Sequence, residues 1–179
     1  DTGTRDVDTL IRYAVENGIA RILIDAPTQG NALAGDMRDR LADRFVEASE
    51  DLNVRVVILR GAGAKHFCTG AALGGAQRPT PPKPEGAPER ASGDAARLIR
   101  TGWQRLIGSI LDCEKPVIAA VNGTAAGGGA QLALACDLVV LADNAKYIEV
   151  FVRRGIMPDA GGCYLLPRLV GLHRAKELM

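Results

Sequence analysis

A glycine-rich segment between an apolar run and a helix-like run is the strongest chemical feature of the sequence. Asn122–Gln131 reads NGTAAGGGAQ and contains three consecutive glycines. Glycine allows close backbone approach, and the first N–H groups of a helix lack partners inside it. Such a turn can bind a phosphate, or it can form an oxyanion hole that stabilises charge on a carbonyl oxygen. The standard phosphate-loop and dinucleotide patterns do not occur, which favours the oxyanion hole. A turn that only packs a helix on a strand is the alternative.

A second segment of small residues, Lys65–Leu73 (KHFCTGAAL), directly follows a predicted strand. A strand ending in such a turn places backbone N–H groups at an open edge, with little side-chain bulk to block a ligand. Alone the pattern is weak, because most tight turns after strands only connect elements. Together the two segments supply N–H groups that could act on one carbonyl oxygen.

These segments lie among alternating strands and helices. Ala20–Asp25, Val54–Arg60, Pro116–Val121 and Asp137–Ala142 are short apolar runs typical of strands. Two stretches between them repeat apolar residues at the spacing of one helix face. The first stretch contains Leu33, Met37, Leu41, Phe45, Ala48 and Leu52, and the second contains Ile99, Trp103, Leu106, Ile107 and Ile110. Because the strands are continuously apolar, we predict an α/β domain whose strands are covered on both faces.

Composition and charge exclude several classes of function. The 179 residues are 47% hydrophobic with a net charge of +1, which is typical of one globular domain and predicts neither a nucleic-acid surface nor an acidic tail. The sequence has no apolar run of about 18 residues, which is the length that a membrane-spanning helix needs. Four cysteines and two histidines show no ligand spacing. We therefore expect no metal site, no membrane, and reduced thiols in the cytoplasm.

Residues 76–93 (AQRPTPPKPEGAPERASG) break the alternating pattern, since they are rich in proline, glycine and charge. Such a composition does not bury enough apolar surface to order itself. Apolar elements of one core flank it on both sides. We predict a mobile surface loop inside a single domain spanning 1–179.

Four blocks of the sequence resemble the crotonase superfamily, also called the enoyl-CoA hydratase/isomerase family. They are NAL at Asn31–Leu33, FCTGAAL at Phe67–Leu73, KPVIAAVNGTAAGGGAQLALACDLVV at Lys115–Val140, and GIMPDAGGCYLLPRLVG at Gly155–Gly171. The resemblance covers nearly the whole chain and implies the crotonase spiral of ββα units, assembled as a homotrimer or a dimer of trimers. It also implies that relatives continue past Met179 with further helices.

The resemblance implies the site as well. The two oxyanion donors would be the N–H groups of Ala71, which follows Gly70, and of Gly128, the middle glycine. Two segments would line the coenzyme A channel, and a residue further along would shape the acyl pocket. The residues that the resemblance assigns to substrate binding are Gln29, Asn31, Ala32, Leu33, Gly70, Ala72, Leu73, Gly127 and Phe151.

The chain departs from a hydratase at both acid–base positions. Hydratases of this family add water with two glutamates, and the first matching position here is Gln131. An amide can orient water or a carbonyl but cannot serve as a base. The second matching position is Phe151. Glu149 lies two residues earlier, and a displacement of about 6–7 Å along a strand makes it a poor substitute. An ordinary polar residue on the solvent side of a helix is the alternative interpretation of Gln131.

Asp159, in the block Pro158–Gly162 (PDAGG), is the remaining acid in a suggestive place. The resemblance assigns a working aspartate there in dienoyl-CoA isomerases and some other relatives. One carboxylate in an apolar pocket beside an oxyanion hole can move a proton between two carbons. The alternative is a helix cap without catalysis. A cap would lower the pKa of Asp159, whereas apolar burial would raise it.

These features predict a cytoplasmic acyl-CoA enzyme that stabilises an enolate and isomerises a double bond. Asp159 would shuttle the proton, Gln131 would orient a water or the acyl group, and Phe151 would keep the pocket dry. The substrate is an acyl-CoA thioester, so coenzyme A enters as part of it and no separate cofactor is expected. A true hydratase using Asp159 or Glu149 is one alternative. A non-catalytic acyl-CoA-binding protein is the other.

Overall fold

The computed structural model describes residues 6–73, 85–86 and 92–179, with the backbone alone at 92–95. The strands are β1 Ile11–Glu16, β2 Ile19–Ile24, β3 Val56–Gly61, β4 His66–Cys68, β5 Val117–Val121, β6 Thr124–Ala126, β7 Leu138–Leu141 and β8 Lys146–Ile148. The helices are α1 Val7–Leu10, α2 Gly35–Glu50, α3 Ser92–Ile99, α4 Arg105–Leu111, α5 Gly128–Ala135, α6 Gly162–Val170 and α7 Leu172–Leu178. The predicted α/β class is confirmed.

Five strands form the main sheet in the order β1-β2-β3-β5-β7. The hairpin β1–β2 is antiparallel, and every later pair is parallel. The parallel pairing follows from the helical connections between successive strands. Each connection returns the chain to the end of the sheet at which the previous strand began. The four strands predicted from apolar runs are therefore neighbours, β2 to β3 to β5 to β7.

A second, smaller sheet has the order β4-β6-β8 and is parallel throughout. Its strands have three residues each and consist largely of small or polar side chains. The sequence pattern did not reveal it, because such short runs lack a readable period. It matters for the site, because β4 leads into Gly70 and β6 leads into the glycine triplet.

The helix α2 packs its predicted apolar face on the sheet. Met37, Leu41, Phe45 and Ala48 are buried there. Leu52 was predicted on the same face, but it lies beyond the end of the helix and is 92% exposed. The helix ends at Glu50, two residues earlier than the pattern suggested.

The second predicted helix is not continuous. Between α3 and α4, Arg100–Gln104 form a π-helical turn, and Gly102 inside it has φ −102° and ψ −105°. After this turn Leu106, Ile107 and Ile110 are buried as predicted, whereas Ile99 before it is 54% exposed.

The strand β7 departs from the prediction that both faces of the strands are covered. All four of its residues are exposed, and it forms one edge of the main sheet. The predicted loop at 76–93 lies almost wholly outside the described residues; Glu85 and Gly86 form a turn, and α3 begins at Ser92. Of the helices in the described ranges, none has the length and apolar character needed to cross a bilayer.

Candidate active site

The first turn of the site is fixed by pairing between two distant segments. The N–H of Leu33 donates to the carbonyl of Gly70 at 2.8 Å, and the N–H of Ala72 donates to the carbonyl of Leu33 at 3.0 Å. Leu33 and Ala71 thus form an isolated parallel bridge. In this arrangement the N–H of Ala71 points away from Leu33, because alternate residues of a strand face opposite neighbours.

Asn31 supports this turn from inside the protein. It is fully buried, and its side-chain oxygen accepts from the N–H of Ala26 at 3.0 Å. Its side-chain nitrogen donates to the carbonyls of Ala62 at 3.0 Å and His66 at 2.8 Å. The side chain of Asn31 is therefore occupied in holding three backbone segments together, which is a different role from the predicted lining of a ligand channel.

The second turn is the glycine triplet before α5. Gly127 has φ 52° and ψ −127°, a conformation that favours glycine, and its N–H donates to the carbonyl of Ile148 at 3.1 Å. Gly128 begins the helix, so its N–H has no acceptor within the helix. A Cβ on Gly129 would stand 2.0 Å from the carbonyl oxygen of Cys68. That contact presses the start of α5 against the end of β4.

The two turns meet at one point. A Cβ on Gly70, whose φ is 90°, would lie 2.9 Å from the nitrogen of Gly128 and 2.9 Å from the carbonyl oxygen of Ala126. No described residue accepts a hydrogen bond from the N–H of Ala71 or of Gly128. Two backbone donors without a described acceptor therefore lie on adjoining turns, and an oxyanion hole is built from donors of this kind.

Gln131 lies one turn into α5 and belongs to a buried polar cluster. It is 0% exposed, so the alternative interpretation as a solvent-facing polar residue is wrong. Its Nε2 donates to both carboxylate oxygens of Glu149, at 2.8 and 3.0 Å. The hydroxyl of Tyr147 donates to the same carboxylate, and burial raises the pKa of this phenol, with the hydrogen bond to Glu149 adding to the shift. Sequence reasoning considered Glu149 only as a displaced glutamate and missed this cluster.

The free acceptor of the cluster faces the loop that carries Asp159. Within the described residues the Oε1 of Gln131 is buried without a hydrogen-bond partner. A Cβ on Gly162 would stand 2.8 Å from this atom. The N–H of Gly162 donates to the carbonyl of Asp159 at 2.8 Å. The Asp159 loop is thereby packed directly against α5, the helix that begins with Gly128.

Asp159 does not cap α6. The residue at the N-cap position is Gly161, and no side chain bonds the first turn of that helix. The Asp159 side chain is exposed, yet desolvation by the surrounding protein raises its pKa, partly offset by its own backbone N–H. This is the direction expected from apolar surroundings. Ala160 and Gly161 follow with φ 46° and 87°, so two consecutive left-handed residues turn the chain sharply after the acid.

The remaining predicted residues divide between open and buried positions. Gln29 and Leu73 are exposed, Ala32 and Ala72 are partly exposed, and they lie on or beside the turns that pair at Leu33. Leu33 itself is 3% exposed and contributes its backbone. Phe151 is 5% exposed and precedes a short 3-10 turn at Val152–Arg154.

The thiols near the site differ in their surroundings. Burial raises the pKa of both Cys68 and Cys136 to about 12. Cys163 is exposed near the start of α6, and its Sγ lies 3.2 Å from the carbonyl oxygen of Pro158. Across the described part of the chain, no cluster of three or more His, Cys, Asp or Glu side chains could hold a metal ion.

A family model and several known proteins match this sequence. A family model described as enoyl-CoA hydratase/isomerase matches residues 14–179. A probable enoyl-CoA hydratase of Rhodobacter capsulatus is 41% identical over 165 residues, which cover 92% of this chain and 58% of that protein. The 1,2-epoxyphenylacetyl-CoA isomerase of Escherichia coli is 36% identical over 165 residues, which cover 92% of this chain and 59% of the relative.

The comparison with solved structures also finds enoyl-CoA hydratases. The enoyl-CoA hydratase from Bacillus anthracis matches with a TM-score of 0.80 at 33% identity, over 94% of this chain and 61% of that one. The chain therefore spans 58% to 61% of the length of these relatives. The predicted crotonase-type fold is confirmed, and the chain belongs to the enoyl-CoA hydratase/isomerase family.

Proposed function

We propose that this protein binds acyl-CoA thioesters and isomerises a carbon–carbon double bond through an enolate. The observation that carries the proposal is the contact between Gly70 and the nitrogen of Gly128, which sets the N–H groups of Ala71 and Gly128 on adjoining turns. A thioester oxygen held by both amides would be stabilised as it gains negative charge. Each such donor lowers the activation barrier by roughly 2.7–4 kcal/mol when the site excludes water.

Asp159 supplies the proton chemistry in this proposal. Its carboxylate removes a proton from an acyl carbon, and the electron pair moves toward the thioester oxygen. The same carboxyl then returns the proton to a different carbon, so the double bond shifts and nothing is gained or lost. A raised pKa suits both halves of this exchange, because the group must accept a proton and release it again. Coenzyme A takes part as the carrier of the acyl group.

The polar cluster favours isomerisation over water addition. Family hydratases use two glutamates, and Gln131 and Phe151 occupy the matching positions. Glu149 is buried, and its carboxylate accepts from Gln131 and Tyr147. It is therefore held as a structural acceptor. The names of similar proteins include both hydratases and isomerases, so the acid–base residues decide between the two chemistries.

A panel of enoyl-CoA substrates tests the proposal with purified wild type and Asp159→Asn. We expect the wild type to move the double bond. Nuclear magnetic resonance of the acyl chain measures this migration. Loss of general acid–base catalysis reduces rates by about 10²- to 10⁴-fold, so kcat in the variant falls by that order. Acyl-CoA binding should persist in the variant, because the two amides are unchanged.

Other results point elsewhere. Unchanged kcat in Asp159→Asn would refute the role of this residue. Stereospecific water addition at high rate would identify a hydratase. Tight acyl-CoA binding without turnover of any substrate would identify a non-catalytic binding protein.

A further inference from the structure

The chain contains one tryptophan, and it stands against the proposed oxyanion donor. A Cβ on Gly128 would lie 2.4 Å from Cη2 of Trp103, 2.8 Å from Cζ3 and 2.9 Å from Cζ2. The outer edge of the indole therefore contacts the Cα of Gly128. Gly70 approaches the same residue at its nitrogen. Gly128 is thus enclosed between the first turn and the indole.

The π-helical turn before α4 places Trp103 beside Gly128. Gly102, next to it, is buried and has non-helical angles inside the π-helical turn Arg100–Gln104. A Cβ on Gly102 would stand 2.7 Å from Nη1 of Arg38, so the guanidinium of this α2 residue lies directly against the turn. A π-helical turn holds an extra residue and changes which side chains face inward, and such turns are frequent at functional sites.

The same helical stretch also contacts the Asp159 loop. Ile107, one turn after Trp103, has its Cγ2 3.6 Å from the position of a Cβ on Gly161. Trp103 is only partly buried, so part of the indole remains open. In the proposed function the acyl oxygen lies at Gly128 and the proton is moved by Asp159, and this stretch contacts both Gly128 and the Asp159 loop.

We infer that Trp103 is a specificity-determining wall of the acyl site and favours acyl groups that are flat and conjugated next to the thioester. The inference rests on the proposed function. An indole contacts a planar π-system with more favourable geometry than a puckered saturated ring of similar size. Aromatic pairs gain affinity of about 2- to 12-fold beyond the area they bury.

Two unreactive thioesters provide the test. Benzoyl-CoA and cyclohexanecarbonyl-CoA have the same number of carbon atoms, but only the first is planar. Titration calorimetry on the purified protein measures both affinities for the wild type, Trp103→Phe, Trp103→Leu and a control. The control is Leu111→Ala at the end of the following helix α4, where the side chain is 52% exposed. We expect the wild type and the control to prefer benzoyl-CoA by about 2- to 12-fold. Trp103→Phe should keep part of this ratio, and Trp103→Leu should lose it.

The outcomes separate the two proposals. If both thioesters bind the wild type equally, or if folded Trp103→Leu keeps the ratio, the inference about Trp103 is wrong while acyl-CoA binding stands. If neither thioester binds the wild type, the proposed function fails first. Should Trp103→Leu not fold, the wild-type fluorescence decides, since all tryptophan emission comes from Trp103. Emission that changes with benzoyl-CoA but not with free coenzyme A supports the inference, and unchanged emission overturns it.

Discussion

The two halves of the proposed site are built in different ways. On one side, the turns at Gly70 and Gly127–Gly129 would act through backbone N–H groups. These turns are buried and touch so closely that no side chain fits between them. On the other side, Asp159 would act through an exposed side chain on a loop with two consecutive left-handed residues. The two turns form the amide side of the site, and its geometry is fixed by backbone packing. The Asp159 loop forms the acid side, and its chemistry depends on the type of that one residue.

This difference suggests how one fold serves several reactions. Backbone donors that are fixed by packing stay in place when neighbouring side chains change. The acid–base group can then be exchanged without rebuilding the oxyanion hole. In this chain the hydrogen bonds of Gln131 and Tyr147 to the buried Glu149 join α5 to the end of β8.

Gly70→Ala should break the amide side most severely. The new Cβ would lie 2.9 Å from the nitrogen of Gly128 and occupy a left-handed conformation at φ 90°. It would displace the two donors from each other. Removing one oxyanion donor lowers kcat by about 10²- to 10³-fold, and we expect a loss of that order in steady-state kinetics on the best enoyl-CoA substrate.

The matched control for this experiment is Gly35→Ala at the start of α2. A Cβ there meets no atom within 4 Å. It should leave kcat unchanged and leave stability equal or slightly higher, since alanine suits a helix better than glycine. A folded Gly70→Ala protein with wild-type kcat would show that the two amides do not act on the thioester.

A second prediction compares the stability of two variants, Glu149→Gln and Asp159→Asn. Glu149→Gln replaces a buried carboxylate that accepts three hydrogen bonds, and its amide nitrogen would face donors from Gln131 or Tyr147. Leaving buried polar groups unsatisfied costs about 1–3 kcal/mol. In urea unfolding we expect a loss of free energy in that range, whereas Asp159→Asn should unfold near the wild-type midpoint. Equal midpoints for both variants would remove the distinction between a structural and a catalytic carboxylate.

The smallest effect is in the pH dependence of Asp159. Its folded pKa lies above its ordinary value of 3.8, so the folded state binds more protons than the unfolded state between the two values. The charged carboxylate therefore lowers stability slightly above this window. Asp159→Asn should be marginally more stable than the wild type at neutral pH, and this gain should vanish below about pH 3.8.

The same titration should appear in activity. The wild-type kcat/KM should decline on the acid side with a midpoint above the ordinary aspartate value, because only the carboxylate removes a proton. The residual activity of Asp159→Asn should lack this limb. An acid limb that persists in the variant would assign the titration to another group.

The amide side was largely predictable from sequence, and the packing around it was not. Three consecutive glycines between a strand and a helix indicate a turn with free N–H groups, and the structure has such a turn at Gly127–Gly129. The contact of Gly70 with Gly128 depends on the short strands β4 and β6, whose three residues carry no periodic signal. No local pattern brings Phe67 and Ala125 into neighbouring strands.

Side-chain environments were harder to predict than the backbone. Gln131 reads as a polar residue in an apolar helix, and only the partner Glu149, 18 positions away, shows why it is buried. Trp103 fits a helical face by spacing, but the π-helical turn that aims it at Gly128 is invisible in the apolar pattern. The neighbouring Gly102 was the available signal, since glycine is unusual inside a helix.

The thiol surroundings described above have a practical consequence for labelling. Maleimides and iodoacetamides react with thiolates, and a pKa of about 12 leaves almost none at Cys68 or Cys136 near neutral pH. Cys163 is exposed, four positions after Asp159, so the native chain presents a natural attachment point at the acid side of the site. A dye placed there, paired with the indole of Trp103, would form an energy-transfer couple across the two halves without an engineered cysteine.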